Sequence, residues 1–318
     1  SVIVYFYQLS EKLSELAGCF YQFPADSISV IAVTGTNGKT STVQLTSQLA
    51  YLMGERAASI GTLGTGMYSP SGDTQATQNS VNTTPDAISM QRLLAEFVDE
   101  GAFQVALEAS SHALVQNRIK AVKTDIAIFT NLSRDHLDYH SSMTEYGLAK
   151  RLLLSQPELA YAIINVNDPE HKNWLENIPK TTSVVLYGQN ISASEMPVEY
   201  QYCVANNVRY NADGIALSIQ SSWGKCELRL LLLAEFNVAN VLAAICSQLC
   251  LGKSLKQIAY IVQKLKPVAG RMELYSRQNH ATIVVDYAHT PDALEKALLA
   301  TKQHCHGKLF CVFGCGGD

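Results

Sequence analysis

No apolar run in this 318-residue sequence approaches the roughly 20 residues that cross a bilayer, so no membrane span is expected. An excess of basic charge is also missing. Lys and Arg number 24 against 28 Asp and Glu, and a net charge of −4 argues against a nucleic-acid surface as the main business of the chain. The opening SVIVYFYQLSEKL lacks a basic flank, a long apolar stretch and a small-residue cleavage site, and does not read as a secretory signal. Finally, no C-x-x-C pair is present. The eight cysteines (Cys19, Cys203, Cys226, Cys246, Cys250, Cys305, Cys311 and Cys315) have no paired spacing, which fits reduced thiols in a cytoplasm better than a disulfide framework or a zinc site. Cys311 and Cys315 flank an expected strand end and read as small buried residues. The expectation is a cytoplasmic, monomeric protein with neither nucleic acid nor membrane as partner.

A hydrophobic content of 47% with 16% charged residues describes a globular chain, and its length suits two domains. The sequence opens without methionine on a strand-like run and closes on CVFGCGGD, a strand and glycine turn that normally lead into a helix. A fragment of a longer protein is therefore expected.

The stretch Ile28 to Thr46 organises the rest. Val30 to Val33 form a short buried-strand pattern, Thr34 to Gly38 a glycine-containing turn, and Thr40 onward a helix. Helix starts carry unpaired N–H groups and partial positive charge, so a polyphosphate can sit there while Lys39 neutralises it and Thr40 faces a magnesium ion. The generic loop G-x-x-x-x-G-K-[ST] is incomplete, because Val33 occupies its first position. An ordinary strand-to-helix turn with a surface lysine is the bland alternative, and nucleotide binding is favoured over it.

In chain order, Gln8 to Tyr21 has the spacing of a linker helix, with Leu9, Leu13, Leu16, Ala17 and Phe20 as its apolar face. A polar stretch from Ser69 to Asn82 ends in Asn82-Thr83-Thr84-Pro85-Asp86, where Thr84 or a neighbour can cap the next helix. The strand Phe103 to Leu107 delivers Glu108 to the C-terminal edge of a parallel sheet, the edge at which open α/β sheets bind ligands. The strand Ile126 to Phe129 runs into Asn131 to His140, a segment dense in metal- and phosphate-binding groups. Tyr146 to Ser155 is a helix bearing Lys150. From Thr181 to Leu233 short alternating runs, including Val184 to Tyr187, predict a small antiparallel sheet appended to the nucleotide domain. The helices Asn237 to Leu251 and Leu255 to Leu265 follow, and beyond Pro267 a second α/β unit begins. The fold expected is α/β: a P-loop-type, mostly parallel sheet flanked by helices with a small antiparallel subsheet, then the start of a Rossmann-like domain.

TGTNGKTS at Thr34 to Ser41, NTTP at Asn82 to Pro85, EASSH at Glu108 to His112, TNLSRDHLDYH at Thr130 to His140, Tyr146 with Ala149-Lys150, FNVAN at Phe236 to Asn240, GRME at Gly270 to Glu273 and DYAHTPDAL at Asp286 to Leu294 occur in order. Together they resemble the Mur ligases, and within them the branch that adds the third amino acid of the muramoyl peptide. One departure is Ala234, where many relatives carry glycine. The resemblance implies three parts here: a remnant of an N-terminal UDP-binding domain with its linker (residues 1–27), a central ATP-binding ligase domain (28–267) and a truncated C-terminal domain (268–318).

It further implies ATP and Mg2+ as cofactors, and UDP-N-acetylmuramoyl-dipeptide and an amino acid as partners in ATP-dependent amide formation. By resemblance, Gly35, Thr36, Asn37, Gly38, Lys39, Thr40 and Ser41 bind ATP with Asn240 for the adenine, Arg271 for phosphate and Asp286 for the ribose. Thr40, Glu108, His136 and a carbamylated Lys150 serve magnesium, and Lys39, Glu108, His136 and Lys150 are catalytic. Thr83, Thr84, Ser110, Gln116 and Arg118 hold the muramoyl-peptide substrate. The alternatives are another ligase of the superfamily, folylpolyglutamate synthase or a cyanophycin-type enzyme among them, and a catalytically incomplete nucleotide-binding fragment.

Overall fold

Alternation at period two sets the two faces of the central sheet. In β1 (Ser29–Thr34), Ile31 and Val33 join one apolar cluster while Val30 and Ala32 join another; β5 (Ile126–Phe129) divides Ile126 and Ile128 from Ala127 and Phe129 in the same way. Strands apolar on both sides need cover on both sides, the usual condition of a parallel sheet. The computed structural model describes residues 6–69, 82–136, 139–211, 214–277, 279–288, 291–305 and 307–314. Helices α2 (Lys39–Leu52), α7 (Glu235–Cys250) and α8 (Leu255–Val262) cover the first face through residues such as Leu45, Leu49, Val241 and Ile258. On the second face α3 (Ala87–Asp99) contributes Met90, Leu94 and Phe97. Cutting one such buried leucine to alanine costs about 2–5 kcal/mol, so these two layers hold the sheet in place.

The remaining strands are β2 (Ala57–Gly61), β3 (Gly64–Met67), β4 (Gln104–Glu108), β6 (Tyr161–Asn165), β7 (Ser183–Gln189), β8 (Gln201–Asn211), β9 (Gly214–Ser221) and β10 (Gly224–Leu230). Among the described residues ten strands form one sheet in the order β10-β9-β8-β7-β6-β5-β1-β4-β2-β3. The chain leaves β1 to build one side of the sheet and then crosses to the other, with β4 and β5 as its parallel neighbours. That makes the C-terminal end of β1 a topological switch point, where a crevice opens.

Two expectations about strands need correction. Val184 to Tyr187 does not belong to an antiparallel unit: β7 pairs parallel with β6, Ile163 opposite Val185, and β8 is parallel to β7. All of Val184 to Tyr187 are buried, as strands covered on both faces require. Antiparallel pairing is confined to β8–β9–β10 and the short β2–β3 edge, and it extends the same sheet. In β9 the alternation is retained because only one face is covered.

The linker helix is present as α1 (Leu9–Phe20), but Leu9, Leu16 and Phe20 are exposed, and it seats through small residues Ser14, Ala17 and Gly18 instead. Close approach explains the choice: the Ser14 hydroxyl accepts from the Ala121 N–H at 3.0 Å. Beyond residue 267, β11 (Glu273–Tyr275) and β12 (Ile283–Val285) pair antiparallel, and α9 (Pro291–His304) follows. Residues 309–314 form no strand, and Cys311 is exposed rather than buried; Cys315 lies outside the described residues. Also outside them are most of the polar stretch 69–82, and His289 of the DYAHTPDAL motif. No helix of the described residues is long and apolar enough to cross a membrane.

Candidate nucleotide and ligand site

At the switch point the chain turns through Gly35 to Gly38 into α2. Gly38 is the residue before the helix, with φ +85, and a Cβ on it would run into the Asn240 side-chain oxygen. Glycine is therefore required twice over, by conformation and by space. The first turn of α2, Lys39, Thr40 and Ser41, offers N–H groups that no helical carbonyl can take. A second segment clamps the loop from outside. Thr36 N–H donates to the Asn131 carbonyl at 2.8 Å, Asn37 N–H to the Asn131 side-chain oxygen at 2.9 Å, and the Thr130 hydroxyl donates to the Asn37 carbonyl at 2.7 Å. Ser133 N–H donates to the Thr36 hydroxyl at 3.0 Å. The loop is thus held in shape before any ligand arrives.

Two lysines converge on it. Lys39 Nζ donates to the carbonyls of Gly35 and Thr36, each at 2.8 Å, and Lys150 Nζ, from α5 (Met143–Arg151), donates to the same Gly35 carbonyl at 2.7 Å. Lys150 is 1% exposed and lies 4.2 Å above the centre of the Tyr146 ring. Burial, and then the neighbouring Lys39 charge, hold its ammonium well below the usual lysine range, against the pull of Asp135. Lys39 is also lowered, chiefly by burial; Glu108 and Asp135 oppose the shift and Arg271 adds to it. Two amino groups thus share one neutral oxygen, with the Glu108 and Asp135 carboxylates as the negative charges that act on Lys39.

Glu108, 1% exposed, stands at the end of β4 in register with Val33. Its carboxylate accepts from Thr62 N–H at 2.7 Å and the Thr62 hydroxyl at 3.4 Å, and Gly61 leaves the space it occupies. Thr84 does not cap a helix. Its hydroxyl donates to the Glu108 carbonyl at 2.7 Å, while Asp86 caps α3 by accepting from Ile88 and Ser89 N–H, both at 3.0 Å. Ser110 caps the short helix α4 (Ser111–Val115) and also meets the Thr84 hydroxyl. Arg118 donates to the Thr84 carbonyl at 2.7 Å and, through Nε and a terminal nitrogen, to the Gln116 side-chain oxygen at 2.9 and 2.6 Å. Thr83 joins through a hydroxyl contact of 3.2 Å with Thr62.

These five residues thus gather on one side of Glu108, and the phosphate loop lies on the other. Between them His136, with φ +52, packs edge-on against His112 at 5.2 Å and Tyr146 at 6.0 Å. Asn240 lies buried over Gly38, its oxygen accepting from the Thr42 hydroxyl at 3.4 Å and its amide donating to Asn237 at 3.1 Å. Arg271 lies over the Tyr287 ring at 4.5 Å, near enough for its charge to act on Lys39. Asp286 accepts from Met272 and Ala288 N–H, each at 2.9 Å, and so fixes the turn that carries Arg271.

Sequence reasoning marked Asn131 to His140 as a segment but gave no separate role to Asn131, Asp135 or Tyr139, whose hydroxyl accepts from the Gln116 amide at 3.4 Å. It missed Thr62, whose signal is position alone, directly after β2. Among the described residues no three His, Cys, Asp or Glu side chains converge as a metal cluster. Thr40 and Glu108 are nonetheless the hard oxygen donors that magnesium prefers, whereas Lys150 fits such an ion only after losing its positive charge.

A glycine loop at the switch point of a mostly parallel sheet, with a half-buried lysine at its helix start, defines a P-loop-type nucleotide-binding α/β protein. Comparison with known proteins narrows the class. Residues 33–248 match the Mur ligase middle domain, and residues 270–318 match the Mur ligase glutamate ligase domain. The chain belongs to the Mur ligase family. It is similar to a UDP-N-acetylmuramoyl-L-alanyl-D-glutamate–2,6-diaminopimelate ligase structure, with 34% identity and a TM-score of 0.80, over 98% of this chain and 61% of that one. MurF from Acinetobacter baumannii (18%, TM-score 0.71, 92% of this chain and 58% of that one) and Mycobacterium tuberculosis folylpolyglutamate synthase complexed with ADP and AMPPCP (16%, TM-score 0.71, 91% and 70%) share the fold. The chain therefore spans about three fifths of the length of the diaminopimelate ligase.

Proposed function

We propose that the protein is the central part of a cytoplasmic, MurE-type ligase, which joins a third amino acid to UDP-N-acetylmuramoyl-L-alanyl-D-glutamate at the expense of ATP. The observation that carries the reading is the meeting of the Lys39 and Lys150 amino groups on the Gly35 carbonyl at the start of α2, where burial works against their charged forms. A triphosphate there would favour the charged form of Lys39. The division into a linker remnant (1–27), a nucleotide domain (28–267) and the beginning of a third domain (268–318) follows the same reading.

A carboxylate is a poor acyl donor. In the proposed reaction its oxygen attacks the γ-phosphorus, the bond to the β-phosphate oxygen breaks, and ADP leaves. The amine nitrogen of the incoming amino acid then attacks the acyl carbon, the carbon–oxygen bond breaks, phosphate leaves, and the nitrogen gives up a proton. Two anions must approach, so catalysis is mostly positioning and charge stabilisation. Lys39 and the loop N–H groups hold the β- and γ-phosphates. Thr83, Thr84, Ser110, Gln116 and Arg118 hold the acid, with Arg118 suited to a carboxylate or phosphate by its planar fork. Asn240, Arg271 and Asp286 complete the nucleotide site.

Magnesium, when bound, neutralises phosphate charge, and Thr40, Glu108 and His136 are the residues that would hold it. Lys150 fits beside them as a carbamate: its neutral amine, favoured by burial and by Lys39, adds to carbon dioxide and releases a proton. The acid side of the site, next to Glu108, favours this ligase over a nucleotide-binding module without turnover.

The test is phosphate release from the full-length protein with ATP, magnesium and UDP-N-acetylmuramoyl-L-Ala-D-Glu, given meso-diaminopimelate or L-lysine. Release that requires the dipeptide precursor and one of the two amino acids is expected. Release only with a different acid acceptor would move the protein to a sister ligase such as a folylpolyglutamate synthase. The 318-residue chain alone is expected to bind nucleotide with little or no turnover.

A further inference from the structure

The segment that carries Arg271 and Asp286 is held to the large sheet through one imidazole. His304, the last residue of α9, is buried between two main-chain groups of other elements. Its Nδ1 lies 2.6 Å from the Asn211 carbonyl at the end of β8, and the Ala234 N–H, just before α7, donates to its Nε2 at 3.1 Å. A carbonyl can only accept and an amide N–H can only donate, so the ring has one workable form: neutral, with its proton on Nδ1. A second proton on Nε2 would set two N–H groups against each other.

Ala234 is itself an unusual residue. It has φ +74 with ψ 136, a conformation that an L side chain adopts only at a cost and that glycine tolerates. Its amide therefore points at His304 from a backbone the surroundings must hold in place. Leu233 and Ala234 pack with Met272, Ala297 and Ala300 in a small apolar cluster, so the imidazole sits beside the seam between α9 and the main sheet. Met272 follows Arg271 directly, and its N–H is the group that Asp286 fixes.

We propose that His304 is a positioning residue, a latch that docks α9 on β8 and α7 and thereby sets Arg271 facing the phosphate loop. The inference stands apart from the ligase reading, because it needs only the docked geometry. Among the described residues, Tyr210, Glu235, Lys302 and Cys305 are ionisable neighbours of the imidazole in space or along the chain. The Tyr210 phenol of β8 meets the ring edge-on at 5.5 Å, and burial and then Glu235 push it up to about 12, so it stays neutral. Glu235 adjoins Ala234 on α7, where one carboxylate oxygen accepts from Gln189 at 3.1 Å. Lys302 and Cys305 flank His304 on its own segment.

The experiment uses the 15N-labelled full-length protein. The His304 ring is expected as a single Nδ1–H tautomer, with the Ala234 amide protected from exchange. His304→Gln retains an acceptor and a donor and should keep that protection to within about tenfold, whereas His304→Leu offers no acceptor and should lower it by more than about tenfold. An Nε2–H tautomer, a glutamine variant that loses protection by more than that, or a leucine variant protected like the parent would each overturn the latch. Should the leucine variant fail to fold, the tautomer and the glutamine comparison with the parent still decide.

Discussion

Lys150 shows what a single residue contributes. A lysine whose ammonium is held low by burial is costly in the folded state wherever it must carry its proton. The unfolded chain then binds more protons than the folded one, so stability rises with pH from the folded value toward the ordinary lysine value of 10.5. In buffer free of carbon dioxide, the unfolding free energy measured by urea should climb with alkalinity, with a ceiling of about 1.4 kcal/mol per pH unit for each such group. Lys150→Met removes one group's share, so its stability should climb less steeply over the same range. Equal slopes for the two proteins would show that Lys150 is not held low. Bicarbonate should flatten the parent's slope and leave the variant's unchanged, because only the parent has an amine there to modify.

At the scale of elements, α3 depends on its first residue. Asp86 is partly buried, which raises its carboxyl, but the Ser89 N–H and hydroxyl and the Ile88 N–H outweigh that and hold it below the ordinary aspartate value of 3.8. A depressed carboxylate stabilises the fold above its unfolded value, and the contribution is lost as pH falls through the folded one. Asp86→Ala should therefore cost about 1 kcal/mol at neutral pH by urea titration, with the gap to the parent closing below about pH 4. A gap that persists in acid would mean that α3 is capped by something other than the charge.

Much of the element pattern is legible in the sequence: β1, the glycine turn and α2 follow from Val30 to Val33 and from Gly35 and Gly38. Less legible is how elements face each other. Leu9, Leu16 and Phe20 give α1 an apolar stripe by spacing, yet the helix docks through Ser14, Ala17 and Gly18, because a close contact is decided by the partner surface and not by hydropathy. The parallel pairing of β7 is hidden for a similar reason, since four consecutive buried residues carry no periodicity that assigns a neighbour. Within the site, Glu108 announces itself by ending a strand, whereas the sharing of Gly35 by two lysines joins positions 115 residues apart, and no local pattern records it.

At the scale of the molecule, the phosphate loop draws on almost every layer: β1 and α2 supply it, 130–133 clamp it, α5 brings Lys150, α7 brings Asn240, and the segment after residue 267 brings Arg271. A ligand that binds only when these parts are assembled must stabilise the whole fold, by about 2.7 kcal/mol at a hundredfold excess over its Kd. Adding ATP and magnesium should therefore raise the unfolding midpoint measured in urea. Lys39→Ala should abolish the rise, because it removes the lysine nearest the helix start. Arg271→Ala should reduce the rise while changing ligand-free stability by less than about 1 kcal/mol, since its guanidinium stacks over the Tyr287 ring, a contact of that size. A full rise in the Arg271 variant would mean that the segment beyond residue 267 adds nothing to nucleotide binding, and that β1, α2, α5 and α7 form the site by themselves.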